Sequence, residues 1–235
     1  MALHLTPEAA GVFAATAGGA ALLPDVDTPT SAVSHAGGWL FAAPLWLSRR
    51  LAVEHRGLTH TLAASGALSL GVFAAGHLFA QAHGWLPAYW PIRIVIPALM
   101  AMLAVRSVLT FGSRASWRLG FKRHRRHLLT ALAGVSIGYL GYHLGTVPHF
   151  ALGMALAVFV GYLSHLLLDG LMGGVPLLFP FTGGLSRRVT LGHFRTEGLV
   201  DRLLGVAFLA VTAYLFFRLS AGPATVSQVR HHLPL

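Results

Sequence analysis

Residues 150–172 read FALGMALAVFVGYLSHLLLDGLM, an almost wholly apolar run of 23 residues. Its only charged residue is Asp169, and a helix of about 20 residues is enough to cross a bilayer core. His165 and Asp169 are separated by one helical turn, so both side chains lie on one face of the predicted helix. A carboxylate in an apolar segment is costly unless it is paired or bound to a metal, which makes this pair a candidate site.

The same helical face is lined by small residues. Gly153, Ala157 and Gly161 recur at four-residue intervals before His165, and small residues let a second helix pack closely. The segment that begins at His60 is the expected neighbour. Its own small residues are Ala64, Ala67 and Gly71.

The rest of the chain repeats the apolar pattern. Hydrophobic residues make up 55% of the sequence and charged residues only 10%, too few charges for a water-exposed surface. Other apolar segments cover residues 9–23, 58–82, 86–111, 128–147 and 199–219, with a weaker one at 37–47. The sequence predicts an all-α, multi-pass membrane helical bundle of about six transmembrane helices, forming a single integral membrane domain over residues 1–235. The weak segment is expected to lie at the cytoplasmic interface, and the Gly-rich residues 173–180 are expected to form a re-entrant turn.

The positive charge follows the predicted membrane topology. The net charge is +10, which on a soluble protein would suggest nucleic-acid binding. Here the basic stretches at residues 49–56, 114–127 and 187–195 all fall on one side of the predicted bundle, whereas the connections at 83–89 and 144–149 contain no Lys or Arg. This distribution predicts a cytoplasmic location for the basic side and no nucleic-acid partner.

The chain contains no cysteine, so any metal site must be built from histidine and carboxylate side chains. Seven acidic residues are available. Asp25 and Asp27 belong to LLPDVDTPTS, residues 22–31, where Pro24 and Pro29 predict a turn. Two carboxylates in such a turn can chelate one metal ion or bridge two, although capping and turn formation are equally compatible with the pattern.

A second motif, HRGLTHT, occupies residues 55–61. His55 and His60 are too far apart for one helical face, but Gly57 permits a bend that brings both to one ion. Arg56 between them is suited to holding an anionic group such as a phosphate. The alternative for His55 and His60 is that they are ordinary histidines at the membrane interface. For His165 and Asp169, the alternative is a hydrogen bond between the two side chains within one buried helix.

The predicted topology brings all three motifs to the cytoplasmic face. We therefore expect one metal site with one or two divalent ions, zinc or else manganese. The candidate ligands are Asp25, Asp27, His55, His60, His165 and Asp169. His193 and Glu197, also one turn apart on that side, are secondary candidates.

Three stretches within residues 22–180 resemble, in this order, the YdjM-like family of LexA-regulated, inner-membrane-associated metal-dependent hydrolases. They are LLPDVDTPTS, HRGLTHT and GYLSHLLLDGLMGGVPLLFPF. The resemblance implies a bacterial inner-membrane protein and puts the six candidate ligands on the family's motif positions. Two departures stand out. Thr28 replaces a histidine that usually follows the second aspartate, and His4 is the only candidate for an early family histidine. The His-x-x-x-Asp element is also similar to zinc-dependent phospholipase C enzymes, which ranks phosphoesters first among substrates.

These features predict a membrane-embedded metal-dependent hydrolase acting on a phosphoester or lipid-linked substrate among the membrane lipids. The metal would lower the pKa of bound water. Asp25 or Asp27, whichever is not a metal ligand, would act as the general base, and Arg56 would hold the anionic group of the substrate. The alternative is a non-catalytic metal-binding membrane protein or a metal or ion transporter. Because the acidic residues stop at one membrane face, the enzyme is favoured over the transporter.

Overall fold

The computed structural model describes residues 6–28, 57–81, 91–115, 123–144, 149–181 and 187–192. These residues form five α-helices and no β-strand, apart from one isolated bridge. The helices are α1 (Pro7–Ala20), α2 (Leu62–Gln81), α3 (Ile96–Ala115), α4 (Arg123–Leu144) and α5 (Phe150–Met172). The all-α prediction is confirmed for this part of the chain. The apolar segments at 37–47 and 199–219 lie outside the described residues.

Helix α1 is short because the sequence defines both of its ends. Thr6 caps the N terminus by accepting a hydrogen bond from the Ala9 amide, and Pro7 occupies the first turn, where its missing N–H costs nothing. Beyond the helix, Pro24 opens a 3-10 turn, Pro24–Asp27, closed by a hydrogen bond from the Thr28 amide to the Asp25 carbonyl. The predicted turn at the two aspartates is therefore present.

The helices pack around α1 and α5. Helix α1 contacts α3 and α5, α2 contacts α5, and α3 contacts α4. Side chains from α1, α2 and α5 form the buried core, which consists of Val12, Ala20, Val72, Met154, Ala155 and Val158. The end of α4 and the start of α5 also pack against this core, through Leu144 and Phe150.

The small-residue face of α5 packs against α1 at Gly161. A Cβ atom at this position would collide with the backbone carbonyl of Ala17, so only glycine allows the two helices to approach this closely. The expectation that the neighbour would be the helix after His60 is thus wrong at Gly161, although α2 does pack elsewhere on α5. Gly153 has no heavy atom within 4 Å of an added Cβ.

Helices α3 and α4 are antiparallel. Gly134 lies against Met102, and Gly138 lies against Ala98. Residue numbers therefore increase along α4 in the direction in which they decrease along α3. The basic start of α4 is therefore beside the end of α3. Leu144, at the C terminus of α4, and Phe150, at the N terminus of α5, are six positions apart in the sequence and pack against the same core. This favours an arrangement in which the basic start of α4 lies toward the end of the bundle where α5 terminates.

One of the described helices, Phe150–Met172, is long and apolar enough to cross a membrane, and the apolar part of α2, Leu62–Gly76, is shorter. The six-span arrangement therefore remains a prediction. The Gly-rich residues after α5 do form a turn, but its re-entrant character stays a prediction. This turn is held by an antiparallel bridge between Val175 and Val189, and by a hydrogen bond from the Leu191 amide to the Gly170 carbonyl.

Candidate metal centre

Four of the predicted ligands meet at one end of the bundle. Asp25 comes from the 3-10 turn after α1, His60 from a second 3-10 turn, Leu58–His60, just before α2, and His165 and Asp169 from the last turns of α5. The three sequence motifs thus meet in space, with one or two side chains from each.

The donor atoms of this cluster are close enough to share one ion. The His60 Nε2 nitrogen lies 3.7 Å from Asp25 Oδ1 and 3.2 Å from Asp169 Oδ2. The His165 Nε2 nitrogen lies 3.6 Å from each of the same two oxygens. Donor atoms of Asp25, His60 and His165 all lie within 4.8 Å of one another.

These separations match the edges of a metal coordination sphere. Zinc binds imidazole nitrogen and carboxylate oxygen at about 2.0 to 2.2 Å, so the donors of a tetrahedral site are about 3.3 to 3.6 Å apart. A neutral N–H···O hydrogen bond is shorter, near 2.9 to 3.0 Å. Consistent with this, His165 Nε2 is buried and makes no hydrogen bond within the described part of the chain. The residues present therefore fit a divalent metal ion.

Burial differs sharply among the four side chains. The His60 side chain is 0% exposed, those of Asp169 and His165 are 12% and 17% exposed, and that of Asp25 is 37% exposed. Burial of Asp25 opposes ionisation, but the neighbouring His165 and His60 rings outweigh it and hold the pKa of this carboxyl well below its usual range. Asp25 is thus an ionised carboxylate on the accessible side of the cluster.

Thr61 fixes the turn that carries His60. Its hydroxyl donates to the Leu58 carbonyl at 2.9 Å and accepts from the Ala64 amide at 3.1 Å, which caps the start of α2. The Leu62 amide donates to the Leu177 carbonyl at 3.0 Å. The His60 turn is therefore attached both to its own helix and to the turn that follows α5.

Two contacts around His60 are not predicted by the motif spacing. The Thr59 hydroxyl lies 3.1 Å from His60 Nδ1, and the Tyr162 hydroxyl donates a hydrogen bond to the Thr59 carbonyl. The signal was available in the sequence, because Tyr162 shares a helical face with His165 and Asp169 and a buried tyrosine hydroxyl needs a polar partner. Both residues were missed because neither is a metal ligand.

Several predicted site residues lie outside the part of the chain that the structure describes. Among them are His4, His55, Arg56, His193 and Glu197. Asp27 shares the 3-10 turn with Asp25, but its side chain also falls outside what the structure describes. Their roles in metal binding and catalysis stay predictions.

A comparison with protein-family models adds to this geometry. The model of the YdjM inner membrane protein family matches residues 1–225. The chain belongs to that family. The resemblance carried by the three motifs is thus confirmed, and with it the inner-membrane assignment. Comparisons with curated proteins and with solved structures gave no match.

Proposed function

We propose that this YdjM-family chain is a multi-pass inner-membrane hydrolase that uses one divalent metal ion, zinc in the first instance. Asp25, His60 and His165 are the ligands in this proposal, and Asp169 is the proton acceptor beside them. The observation that carries it is the approach of two imidazole nitrogens to two carboxylate oxygens at 3.2 to 3.7 Å.

Three protein ligands leave a coordination position for water or substrate, as in catalytic zinc sites. An ion held there would lower the pKa of a bound water molecule and polarise the scissile group. Asp169 Oδ2 lies within 3.6 Å of both ring nitrogens, so it is placed to take the proton that the attacking water loses. Asp25, the most exposed of the four side chains, lies where a substrate would enter.

The multi-pass arrangement is supported by the outward-facing side chains. Helices α2, α4 and α5 each expose large apolar residues, as a lipid-facing surface requires. These include Leu70, Phe73, Leu132, Val135, Leu152, Leu156 and Val160. We assign the end of the bundle with the metal cluster to the cytoplasmic side, because the basic start of α4 lies toward the same end.

The preferred substrate is a phosphoester, including a lipid whose headgroup reaches the membrane surface. The basic residues expected on this side would attract an anion, and Arg56 is one residue from His55 within the second motif. Arg188 lies against Gly174 in the turn after α5, which adds a second arginine to the site end of the bundle.

A second candidate is a structural metal site. If Asp169 coordinates the ion together with Asp25, His60 and His165, the four donors close a tetrahedral sphere, which is typical of structural zinc. The short distance from His60 Nε2 to Asp169 Oδ2, 3.2 Å, favours this arrangement as much as it favours a proton acceptor.

The experiment is metal analysis of detergent-purified protein, followed by hydrolysis assays of the metal-loaded form against phospholipids and soluble phosphoesters. About one metal ion per chain and metal-dependent release of a phosphate-containing product are expected. Stoichiometric metal with no turnover of any phosphoester would support the structural site, and the absence of bound metal would overturn both candidates.

A further inference from the structure

The Thr59 hydroxyl lies beside Nδ1 of His60, the ring nitrogen that does not face the carboxylates, and the Tyr162 hydroxyl donates a hydrogen bond to the Thr59 carbonyl. We propose that these two residues position His60, so that its Nε2 nitrogen presents a lone pair to the metal. Thr59 acts on the ring and Tyr162 acts on Thr59. This role rests on the proposed metal centre and adds two positioning residues to its ligands.

The two ring nitrogens of His60 face different partners. His60 Nε2 faces Asp25 Oδ1 and Asp169 Oδ2, whereas Nδ1 faces the Thr59 hydroxyl at 3.1 Å. A histidine that binds a metal through Nε2 must carry its remaining proton on Nδ1. Thr59 Oγ1 is then the acceptor for that proton, and the hydrogen bond fixes both the tautomer and the rotation of the ring.

Thr59 is itself held in place by a hydrogen bond to its backbone carbonyl. The Tyr162 hydroxyl donates to the Thr59 carbonyl, and Tyr162 is only 4% exposed. Tyr162 lies one turn before His165 on α5. Helix α5 therefore supplies His165 and Asp169 and, through Tyr162, also holds Thr59, the residue that orients His60. The distances from His60 to His165 and Asp169 should depend on this contact.

Thr61 provides the contrast that isolates this role. Its hydroxyl caps α2 through Ala64 and closes the Leu58–His60 turn, so the local fold of the turn depends on Thr61. Thr59 contributes the hydroxyl that reaches the ring. Loss of the Thr59 hydroxyl should consequently change the metal affinity more than it changes the stability of the protein.

The test compares Thr59→Val, Thr59→Ser and Tyr162→Phe in the full-length protein in detergent. Zinc affinity is measured by competition with a chromophoric chelator, and thermal unfolding is measured without metal. Thr59→Val should bind zinc about 10- to 100-fold more weakly, as for other partners of metal-binding histidines. Thr59→Ser should recover most of the affinity because it keeps the hydroxyl, and Tyr162→Phe should weaken zinc binding in the same direction.

A spectroscopic measurement tests the tautomer directly. In zinc-loaded protein labelled with ¹⁵N-histidine, His60 should show a protonated Nδ1 and a metal-bound Nε2. The role of Thr59 is overturned if the ring binds through Nδ1, if Thr59→Val binds zinc like the wild type, or if Thr59→Ser is as weak as Thr59→Val. Those results leave the metal centre standing, whereas a wild-type protein that binds no zinc overturns the metal centre and this role together.

Discussion

The Nε2 nitrogen of His60 lies 3.2 Å from the Oδ2 oxygen of Asp169, although His60 precedes α2 and Asp169 lies near the end of α5. Both side chains are almost fully withdrawn from solvent. Removing an imidazole and a carboxylate from water is costly unless a proton or a cation is shared between them. With His165 and Asp25 at similar distances, one divalent cation could satisfy all four groups.

His165→Ala should abolish stoichiometric metal binding while leaving the protein in the membrane. The variant removes one of three proposed ligands. Loss of a residue that only hydrogen-bonds to a ligand weakens metal binding about 10- to 100-fold, so loss of the ligand itself should weaken it more. Metal content of the purified protein is the measurement. His143→Ala is the matched control, because His143 is an exposed histidine on α4, and a similar loss of metal in both variants would contradict the site.

Asp169→Asn should separate metal binding from catalysis. If Asp169 is the proton acceptor, the amide keeps the shape of the side chain and leaves the metal bound, but hydrolysis should fall by about 100- to 10,000-fold, the usual contribution of a general base. Asp25→Asn should instead lose the metal. Loss of metal from Asp169→Asn would show that Asp169 is a fourth ligand and would support the structural site.

The proximity of the four donors could be predicted from the sequence because each motif has a local geometric reason to expose its ligands. Asp25 follows Pro24 in a forced turn, and the spacing of His165 and Asp169 puts them on one helical face. The positive charge then places the ends of the segments on a common side. These three rules require no knowledge of which helices touch.

Helix neighbours could not be predicted in this way. The stripe that contains Gly161 shows that some helix packs closely, but any helix with a smooth surface satisfies the same pattern. The choice of α1 depends on the backbone at Ala17, which meets Gly161 directly. The bridge between Val175 and Val189 could not be predicted either, because a single pair of residues has no sequence periodicity.

Gly161→Ala should destabilise the packing of α1 on α5. The added Cβ collides with the Ala17 carbonyl, and overpacking of this kind costs about 1 to 3 kcal/mol. Gly153→Ala is the control on the same helix, since its added Cβ meets no atom within 4 Å and alanine favours the helix over glycine. Thermal unfolding in detergent should therefore show a lower midpoint for Gly161→Ala alone. Equal midpoints would exclude a tight contact at this position.

Single-cysteine variants should reveal the sidedness of the site, and the natural chain supplies a clean background because it has no cysteine. Arg125→Cys at the start of α4 and Arg187→Cys beyond α5 are both exposed positions. We expect an impermeant thiol reagent to label them only after the inner face of the membrane is opened, with His143→Cys near the other end of α4 as the comparison. Labelling of Arg125→Cys in intact cells would reverse the proposed orientation.

Arg56 separates catalysis from simple metal holding. A guanidinium cannot bind a cation, so Arg56→Ala should keep its metal, whereas a site for a phosphoester should lose stabilisation of the anion. Removing one charge-assisted contact costs about 2 to 4 kcal/mol, or about 30- to 1,000-fold in rate. Arg56→Lys should recover part of the rate because it restores the charge without the bidentate geometry. Metal content and hydrolysis are measured on the same preparations. Wild-type hydrolysis by metal-loaded Arg56→Ala would leave Arg56 as a residue of membrane topology alone and would remove the main support for an anionic substrate.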